Sequence, residues 1–274
     1  MRKADNAEDD MRMNHTKKSN SVVDKRLGDN RRVTILGADI DVLSVAETIA
    51  LVERYVQQKE PLHLIGVNAD KLNEMAKNER LCTIVNNCGV INADGASVVL
   101  ASKFLGKELP ERVAGIDLME DLVELSEKRG YRIYLLGAKQ NVVEETAAIL
   151  QSRYPALKIV GIRNGYFKEE DWPVVSAEIK QAIPDFVFVG ITSPLKEYLV
   201  EFLQSDGHKY VFMGVGGSFD VISGNISRAP KWVQRLNMEW FYRMLQEPKR
   251  LFKRYLVGNW TFIWAVLKEK RSKR

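Results

Sequence analysis

The pair Asp94-Gly95 places a carboxylate just after a predicted strand, residues 89–92, beside a glycine that lets a ligand approach the backbone. An aspartate in that setting suits a general base, which takes the proton from an attacking hydroxyl group. Aspartate also favours the position that caps the N-terminus of a helix. The two roles are compatible, and the local sequence leaves both open.

Arg112 follows Pro110 in a loop that opens another predicted helix. A guanidinium group can hold a diphosphate through two parallel hydrogen bonds and stabilise it as a leaving group without a metal ion. The alternative for a loop arginine is an ion pair exposed to solvent. The local sequence does not decide between them.

The loop Gly214-Val215-Gly216-Gly217 follows a predicted strand and precedes a helix, so its backbone N–H groups could cradle a phosphate. It departs from the dinucleotide-binding fingerprint, because Phe219 stands where the third glycine is expected. No Lys-Ser or Lys-Thr pair of a Walker motif follows it either. A tight turn that binds no ligand is the alternative.

A further strand-to-helix loop contains Ser193, Pro194 and Lys196. The proline suits the first turn of a helix, and the lysine could either bind a phosphate or be solvated. The three histidines of the chain show no ligand spacing, and no HxxE or DxD-type cluster is present. We therefore expect neither a catalytic metal ion nor a cofactor.

From Arg32 onward, strand-like runs alternate with amphipathic helical stretches, and these elements would position the side chains named above. The strand-like runs are residues 33–36, 63–66, 89–92, 131–137, 158–161, 185–190 and 210–214. Such alternation predicts an α/β fold with a mainly parallel sheet flanked by helices. Ligands of open α/β sheets bind beyond the carboxyl ends of the strands, which is where Asp94 and these loops fall.

The composition limits the class of protein. With 274 residues, of which 45% are hydrophobic and 28% charged, the chain can bury a substantial core. The net charge of +5 suits a polyanionic partner, whether nucleic acid, anionic lipid or a phosphorylated substrate. Cys82 and Cys88 are too few for a disulfide framework or a zinc site, which fits reduced thiols in the cytosol. Because we find no apolar run of about 18 residues and no secretory signal, we expect a protein in the cytosol or on the membrane surface.

The chain divides into three parts by composition. Residues 1–30 are polar, and we predict a disordered tail because they bury too little to offset the entropy of ordering. Residues 31–230 hold the predicted α/β core. Residues 231–274 form a basic appendage with four of the five tryptophans, and the helical spacing of its aromatic residues and cations predicts an interfacial helix on an anionic membrane. Helices packed on the core, or an interface between two copies of the chain, are the alternatives.

An ordered set of motifs runs along nearly the whole predicted core and into the appendage. The set consists of Asp94-Gly95, Glu111-Arg112-Val113-Ala114-Gly115, Ser193-Pro194, Gly214-Val215-Gly216-Gly217-Ser218-Phe219-Asp220, Arg228-Ala229-Pro230, Glu239-Trp240-Phe241-Tyr242-Arg243 and Glu247-Pro248-Lys249-Arg250. Together these motifs resemble the WecG/TagA/CpsF glycosyltransferases. The resemblance implies a Rossmann-like α/β core with a C-terminal helical appendage that docks on the membrane.

The resemblance also implies roles for individual residues. Asp94 becomes the catalytic base, and Arg112 engages the phosphates or the sugar. With the loop residues considered above, the residues implied to bind substrate are Asn68, Tyr166, Ser193, Lys196, Gly214, Gly216, Asp220, Arg243, Arg250, Lys253 and Arg254. Tyr166 and Asp220 fall where the family holds the nucleotide. The cations of the appendage would reach the pyrophosphate once the appendage docks on the membrane.

Two departures from the family pattern concern the donor sugar. The family often has Thr-Pro-Asn where this chain has Gly66-Val67-Asn68, and Pro-Lys-Gln-Glu where it has Pro194-Leu195-Lys196-Glu197. A lysine in place of an amide changes the hydrogen bonding near the donor. The identity of the donor sugar is therefore left open.

From the resemblance we expect an inverting, metal-independent enzyme that moves a hexose or N-acetylhexosamine-type sugar from a UDP-sugar to an undecaprenyl-diphosphate-linked sugar. It would serve the synthesis of a surface polysaccharide, such as capsule or exopolysaccharide, as a peripheral protein on the cytoplasmic side of the inner membrane. One alternative is an NAD(P)-dependent oxidoreductase, against which the missing third glycine counts. The other is a basic nucleic-acid-binding module, which leaves the α/β core unexplained, so we expect no nucleic acid as partner.

Overall fold

The computed structural model describes residues 26–235 and 238–272; within these, the side chains of residues 235, 243, 249–251 and 253–255 lie outside the description. The described strands are β1 (Arg32–Ile35), β2 (Ala38–Asp41), β3 (Leu62–Val67), β4 (Val90–Ala93), β5 (Arg132–Gly137), β6 (Lys158–Arg163), β7 (Phe186–Gly190) and β8 (Val211–Gly214). Six of them form a parallel sheet in the order β4-β3-β8-β7-β5-β6. The predicted α/β class with a parallel sheet is confirmed.

Helices cover both faces of this sheet. They are α1 (Val45–Gln58), α2 (Ala69–Met75), α3 (Glu79–Asn86), α4 (Ala96–Leu105), α5 (Gly115–Arg129), α6 (Gln140–Arg153), α7 (Trp172–Ala182), α8 (Leu195–Ser205), α9 (Ser218–Ile222), α10 (Lys231–Arg235), α11 (Glu239–Gln246) and α12 (Pro248–Ser272). In β7, Phe186 and Phe188 pack in the core under α1, α5 and α6, whereas Val187 and Val189 pack under α7 and α8. A strand buried on both faces must be apolar throughout, which explains why this run was recognisable in the sequence.

The first predicted strand, residues 33–36, forms, but it lies outside the parallel sheet. It pairs antiparallel with β2, a strand that the sequence pattern did not predict. Leu36 and Gly37 make the two-residue turn between them, with φ angles of 47° and 84°. Such turns usually carry Asn-Gly or Asp-Gly. A leucine rarely adopts a positive φ, so the turn, and with it the hairpin, had no clear signal in the sequence.

The last residues of the predicted N-terminal tail, 26–30, lie against the core. Arg26 and Asn30 donate hydrogen bonds to the buried carboxylate of Asp41 at 3.1 and 2.7 Å. These bonds hold the chain beside the hairpin from Arg26 onward. Residues 1–25 lie outside the described part of the chain.

His208 makes the stability of the fold depend on pH. His208 is 2% exposed, and its Nε2 lies 2.7 Å from the hydroxyl oxygen of Ser176, a residue of α7. Burial lowers the pKa of His208 to about 4, and the nearby Lys180 adds to this effect against the opposite influence of Asp206. Because the folded pKa lies below the unfolded value, the unfolded state binds a proton first, and stability falls as the pH drops from about 7 towards 4.

We therefore expect this histidine to lower the free energy of unfolding by about 2 kcal/mol between pH 7 and pH 5. Urea denaturation of the wild type and of His208→Gln at the two pH values measures the contribution. The variant should lose less stability than the wild type on acidification, although the equally buried His63, whose pKa burial also lowers to about 4, keeps part of the dependence. An identical loss in the two proteins would contradict the assignment to His208.

Candidate active site

Asp94 lies at the carboxyl end of the parallel sheet, immediately after β4. Its backbone N–H donates to the carbonyl oxygen of Val67, the last residue of β3, at 2.9 Å. Gly66 permits this close approach, since a Cβ on Gly66 would lie 2.9 Å from the Asp94 Cβ. Two neighbouring strand ends thus fix the position of this carboxylate, and the glycine that departs from the family pattern is part of that arrangement.

One oxygen of the Asp94 carboxylate is held and the other is open. Oδ1 accepts a hydrogen bond of 2.9 Å from the backbone N–H of Gly115, the first residue of α5. Oδ2 accepts no hydrogen bond from any residue that the structure describes. Asp94 does not cap the helix that follows it, because the N-cap of α4 is Gly95. A carboxylate oriented through one oxygen and free at the other can accept a proton from a ligand.

Arg112 lies beside Asp94 and also reaches the C-terminal appendage. Its Nε donates to the backbone carbonyl of Asp94 at 2.7 Å, and one terminal nitrogen lies 3.1 Å from a carboxylate oxygen of Glu239 on α11. The Arg112 side chain is 27% exposed and that of Glu239 is 9% exposed. Arg112 thus forms an ion pair, as the alternative stated, but the pair is partly shielded from solvent and ties the appendage to the loop of the candidate base.

Asn68 and the loop after β8 lie at the carboxyl ends of the neighbouring strands β3 and β8. Asn68 caps α2, accepting a hydrogen bond of 3.0 Å from the backbone N–H of Lys71, and its Cβ would lie 3.0 Å from a Cβ on Gly95. Gly214 ends β8, and Gly216 follows it in a turn with a φ of 53°. Asn68 is thus close to the backbone of the Asp94 loop.

Ser193 and Lys196, which follow β7, belong to a buried polar cluster. The Ser193 hydroxyl accepts from Lys71 Nζ and donates to Glu74, each at 3.1 Å. Lys196 is 9% exposed, so the alternative of a solvated lysine is wrong. Lys71 forms a buried ion pair with Glu197. The sequence did not reveal Lys71 and Glu197 as part of the site, because 126 positions separate them along the chain.

Tyr166 and Asp220 follow two different strands of the parallel sheet, β6 and β8. Tyr166 is 73% exposed in the loop after β6. That loop packs against the ends of β5 and β7. A Cβ on Gly165 would lie only 3.0 Å from Gly137 and 3.1 Å from Ile191. Asp220 is half-buried in α9. Both residues thus lie at the carboxyl edge that carries Asp94, Tyr166 beyond the outermost strand β6 and Asp220 beyond the central strand β8.

The remaining predicted residues are the cations of the appendage. The side chains of Arg243, Arg250, Lys253 and Arg254 lie outside the described residues, although their backbone belongs to α11 and α12. Within the described ranges, no three His, Cys, Asp or Glu residues are grouped so as to hold a metal ion.

The long helix α12 has a buried face and an exposed apolar face. Phe262 and Val266 are 5% and 7% exposed and pack into the core with α2 and α4. The other large apolar side chains of this helix that the structure describes are exposed, namely Phe252, Leu256, Val257, Trp260, Ile263, Trp264 and Leu267. The helix therefore packs on the core and still presents an aromatic surface. In the part of the chain that the structure describes, no helix combines the length and apolarity needed to cross a membrane.

Comparison with known proteins agrees with the motifs. The family model described as "Glycosyl transferase WecG/TagA/CpsF family" matches residues 33–274. The enzyme of Bacillus subtilis (strain 168) named N-acetylglucosaminyldiphosphoundecaprenol N-acetyl-beta-D-mannosaminyltransferase is 34% identical over 224 residues, which cover 82% of this chain and 86% of the relative. The protein of the same name from Staphylococcus aureus (strain MW2) is 32% identical over 243 residues, which cover 88% and 94%. The chain belongs to the WecG/TagA/CpsF family of glycosyltransferases.

Proposed function

We propose that this glycosyltransferase moves a sugar from a UDP-sugar to a sugar linked to undecaprenyl diphosphate, with inversion of the anomeric centre and without a metal ion. The observation that carries this proposal is the Asp94 carboxylate, which is fixed through Oδ1 and has Oδ2 open at the carboxyl edge of the sheet. The names of the two relatives specify a lipid-linked acceptor, N-acetylglucosaminyldiphosphoundecaprenol. We propose an acceptor of the same type for this chain.

Asp94 acts as the general base of the transfer. Its Oδ2 takes the proton of the acceptor hydroxyl while that oxygen forms a bond to the anomeric carbon, and the bond from this carbon to the UDP oxygen breaks. Negative charge grows on the departing diphosphate, and Arg112 beside Asp94 is placed to offset it. Attack from the face opposite to the leaving UDP inverts the anomeric centre.

Arg112 must exchange partners during this reaction. In the structure it is paired with Glu239 of α11, so a diphosphate that binds Arg112 competes with this carboxylate. Glu239 belongs to the appendage that also presents the exposed aromatic face. Docking of the appendage on a membrane could thereby change the charge available at Arg112, which links activity to the surface where a lipid-linked acceptor is found.

Transfer from a panel of radiolabelled UDP-sugars to a polyprenyl-diphosphate-linked N-acetylglucosamine in vesicles tests the proposed function. Lipid-linked product from one donor in the presence of EDTA would support both the reaction and its independence of metal ions. The anomeric configuration of the product, determined by NMR, tests inversion. If no donor gives product while a control enzyme uses the same acceptor, the proposal fails.

The exposed face of α12 should bind vesicles that contain anionic lipid. Substituting both Trp260→Gln and Trp264→Gln, which are 61% and 63% exposed, should weaken sedimentation with such vesicles about tenfold or more, because aromatic rings at the interface provide much of the affinity of peripheral helices. This double variant is a cleaner test than removal of the appendage, which would also take Phe262 and Val266 from the core.

The matched control for vesicle binding is Val174→Gln, which removes an apolar side chain that is 54% exposed on α7. It should bind vesicles like the wild type. Equal binding by the wild type and the double tryptophan variant would exclude this face of α12 as the membrane surface.

A further inference from the structure

An apolar cavity of about 250 Å³ lies between α11 and α12 of the appendage. From α11 it is lined by the aromatic rings of Trp240 and Phe241 and by the side chain of Met244. From α12 it is lined by a stripe of side chains at helical spacing, which runs from Phe252 to Ile263. The transfer chemistry proposed for the carboxyl edge of the sheet leaves this cavity without a role.

The wall of the cavity has the chemistry of a site for an apolar ligand. Among the described residues that line it, all except Asn259 are apolar or aromatic. Three of them, Phe252, Leu256 and Trp260, are exposed, so the cavity is open at the surface. Binding sites for small molecules are concave and mostly apolar, with few polar groups. Filling this cavity with a hydrocarbon chain removes apolar surface from water, which favours binding.

The volume of the cavity suits a short segment of one hydrocarbon chain. An engineered apolar cavity of roughly 150 Å³ holds one molecule of benzene, which has six carbon atoms. In proportion, the 250 Å³ between α11 and α12 accommodates about ten carbon atoms. Two isoprenoid units contain that number of carbon atoms.

The cavity lies across α11 from the candidate base. Glu239, the first residue of α11, pairs with Arg112 on the side of the helix that faces the core. Met244, which lines the cavity, comes five residues later and thus lies about 140° around the helix axis from Glu239. The width of a helix, roughly 10 Å, therefore separates the cavity from the loop that holds Arg112 and Asp94.

This separation matches the dimensions of the proposed acceptor. About ten covalent bonds lead from a ring hydroxyl of the sugar through the diphosphate to the first isoprenoid carbon, and they span roughly 12 Å when extended. An acceptor whose hydroxyl group lies at Asp94 therefore has the start of its hydrocarbon chain at the distance of the cavity.

The cavity differs from the rest of the exposed face of α12. Val257, Trp264 and Leu267 are exposed and do not line the cavity. A bilayer can cover such protruding side chains with many lipids at once. A concave site within the same face instead takes a single chain, which can enter it directly from the bilayer.

We infer that the cavity between α11 and α12 binds the first two isoprenoid units of the acceptor, next to its diphosphate. The inference rests on the proposed use of an acceptor linked to undecaprenyl diphosphate. It adds that the enzyme recognises the hydrocarbon chain itself, so that binding of the chain helps to hold the acceptor sugar at Asp94.

Calorimetric titration of the full-length protein, without vesicles or detergent, tests this inference. The ligands are inorganic pyrophosphate and the dimethylallyl, geranyl and farnesyl diphosphates, which carry one, two and three isoprenoid units. Affinity should rise about tenfold or more with each of the first two units, because each buries about five carbon atoms. The third unit lies outside the cavity and should add less than about threefold. Equal affinities for pyrophosphate and geranyl diphosphate would overturn the inference.

Substitutions in the two walls assign the binding to this cavity. Met244→Gln places a polar side chain in the wall and should weaken the binding of geranyl diphosphate about tenfold, with the affinity for pyrophosphate unchanged. Phe252→Gln tests the wall formed by α12, and it should preserve the fold because Phe252 is exposed. Wild-type affinity for geranyl diphosphate in both variants would exclude the cavity as its site.

Leu245→Gln is the matched control. Leu245 follows Met244 on α11 and is exposed, but it does not line the cavity. This variant should bind pyrophosphate and the three prenyl diphosphates like the wild type.

Monomeric dihexanoylphosphatidylglycerol separates a polyprenyl chain from a bilayer lipid as the occupant. It should bind about tenfold or more weakly than geranyl diphosphate, because neither of its two short chains matches the cavity as well. Equal affinities, both weakened by Met244→Gln, would assign the cavity to bilayer lipid and overturn the inference. Since the titrations measure binding without transfer, a negative result leaves the proposed function standing, whereas the absence of lipid-linked product in the transfer experiment overturns the proposed reaction.

Discussion

Asp94→Asn should lower the rate of sugar transfer by about 10³-fold while leaving the affinity for UDP nearly unchanged. A positioned general base typically contributes 10² to 10⁴ in rate, and an amide cannot take the proton of the acceptor hydroxyl. The asparagine can still accept the hydrogen bond from Gly115 through its carbonyl oxygen, so the fold should be preserved. Single-turnover transfer to the lipid-linked acceptor and calorimetric titration of UDP measure the two effects separately.

Asp121→Asn is the control for this experiment. Asp121 is a half-buried carboxylate of α5, the helix whose first residue holds Asp94, and its substitution should leave transfer within about twofold of the wild type, as expected for a side chain remote from the reacting atoms. Full activity of Asp94→Asn would remove Asp94 from the mechanism. A parallel loss of UDP affinity would make it a donor-binding residue instead of the base.

Glu197→Gln should lower the free energy of unfolding at pH 7 by about 3–5 kcal/mol, which is the usual cost of removing one partner of a buried ion pair. The substitution keeps the shape of the side chain but removes the buried negative charge that the ammonium groups of Lys71 and Lys196 share. Because the pKa of Glu197 is lowered to about 2, its stabilising effect is complete above about pH 5 and is lost as the pH falls towards 2. Urea denaturation at pH 7 measures the difference.

Two further variants test whether the loss of stability comes from the buried charge or from a general sensitivity of α8 to substitution. Adding Lys71→Met to Glu197→Gln should restore part of the stability, because the second substitution removes one of the two unbalanced ammonium groups. Glu201→Gln, one turn later on α8, breaks a pair with Arg80 whose cation is 55% exposed, and it should cost less than about 1 kcal/mol. A loss for Glu197→Gln no larger than that for Glu201→Gln would contradict a stabilising role of the cluster.

The pairing of Arg112 with Glu239 shows why part of the site could not be predicted from the sequence. The sequence pattern placed Arg112 in a loop that opens a helix, and that is where it lies. Its partner is 127 positions away, in an appendage whose docking on the core depends on which face of α12 packs against α2 and α4. Spacing within a segment carries no information on such a contact.

The amino-acid sequence by itself determined the α/β class, the strands of the parallel sheet and the location of Asp94 at a strand end. These follow from local patterns, since strands buried on both faces are continuously apolar and the motifs of the loops are contiguous. Only the tertiary structure decided that the first strand belongs to a separate hairpin, that Lys196 is buried with Lys71 and Glu197, and that Oδ1 of Asp94 binds α5. Each of these depends on the order of strands in the sheet, which brings together residues that are distant in sequence and that no local pattern connects.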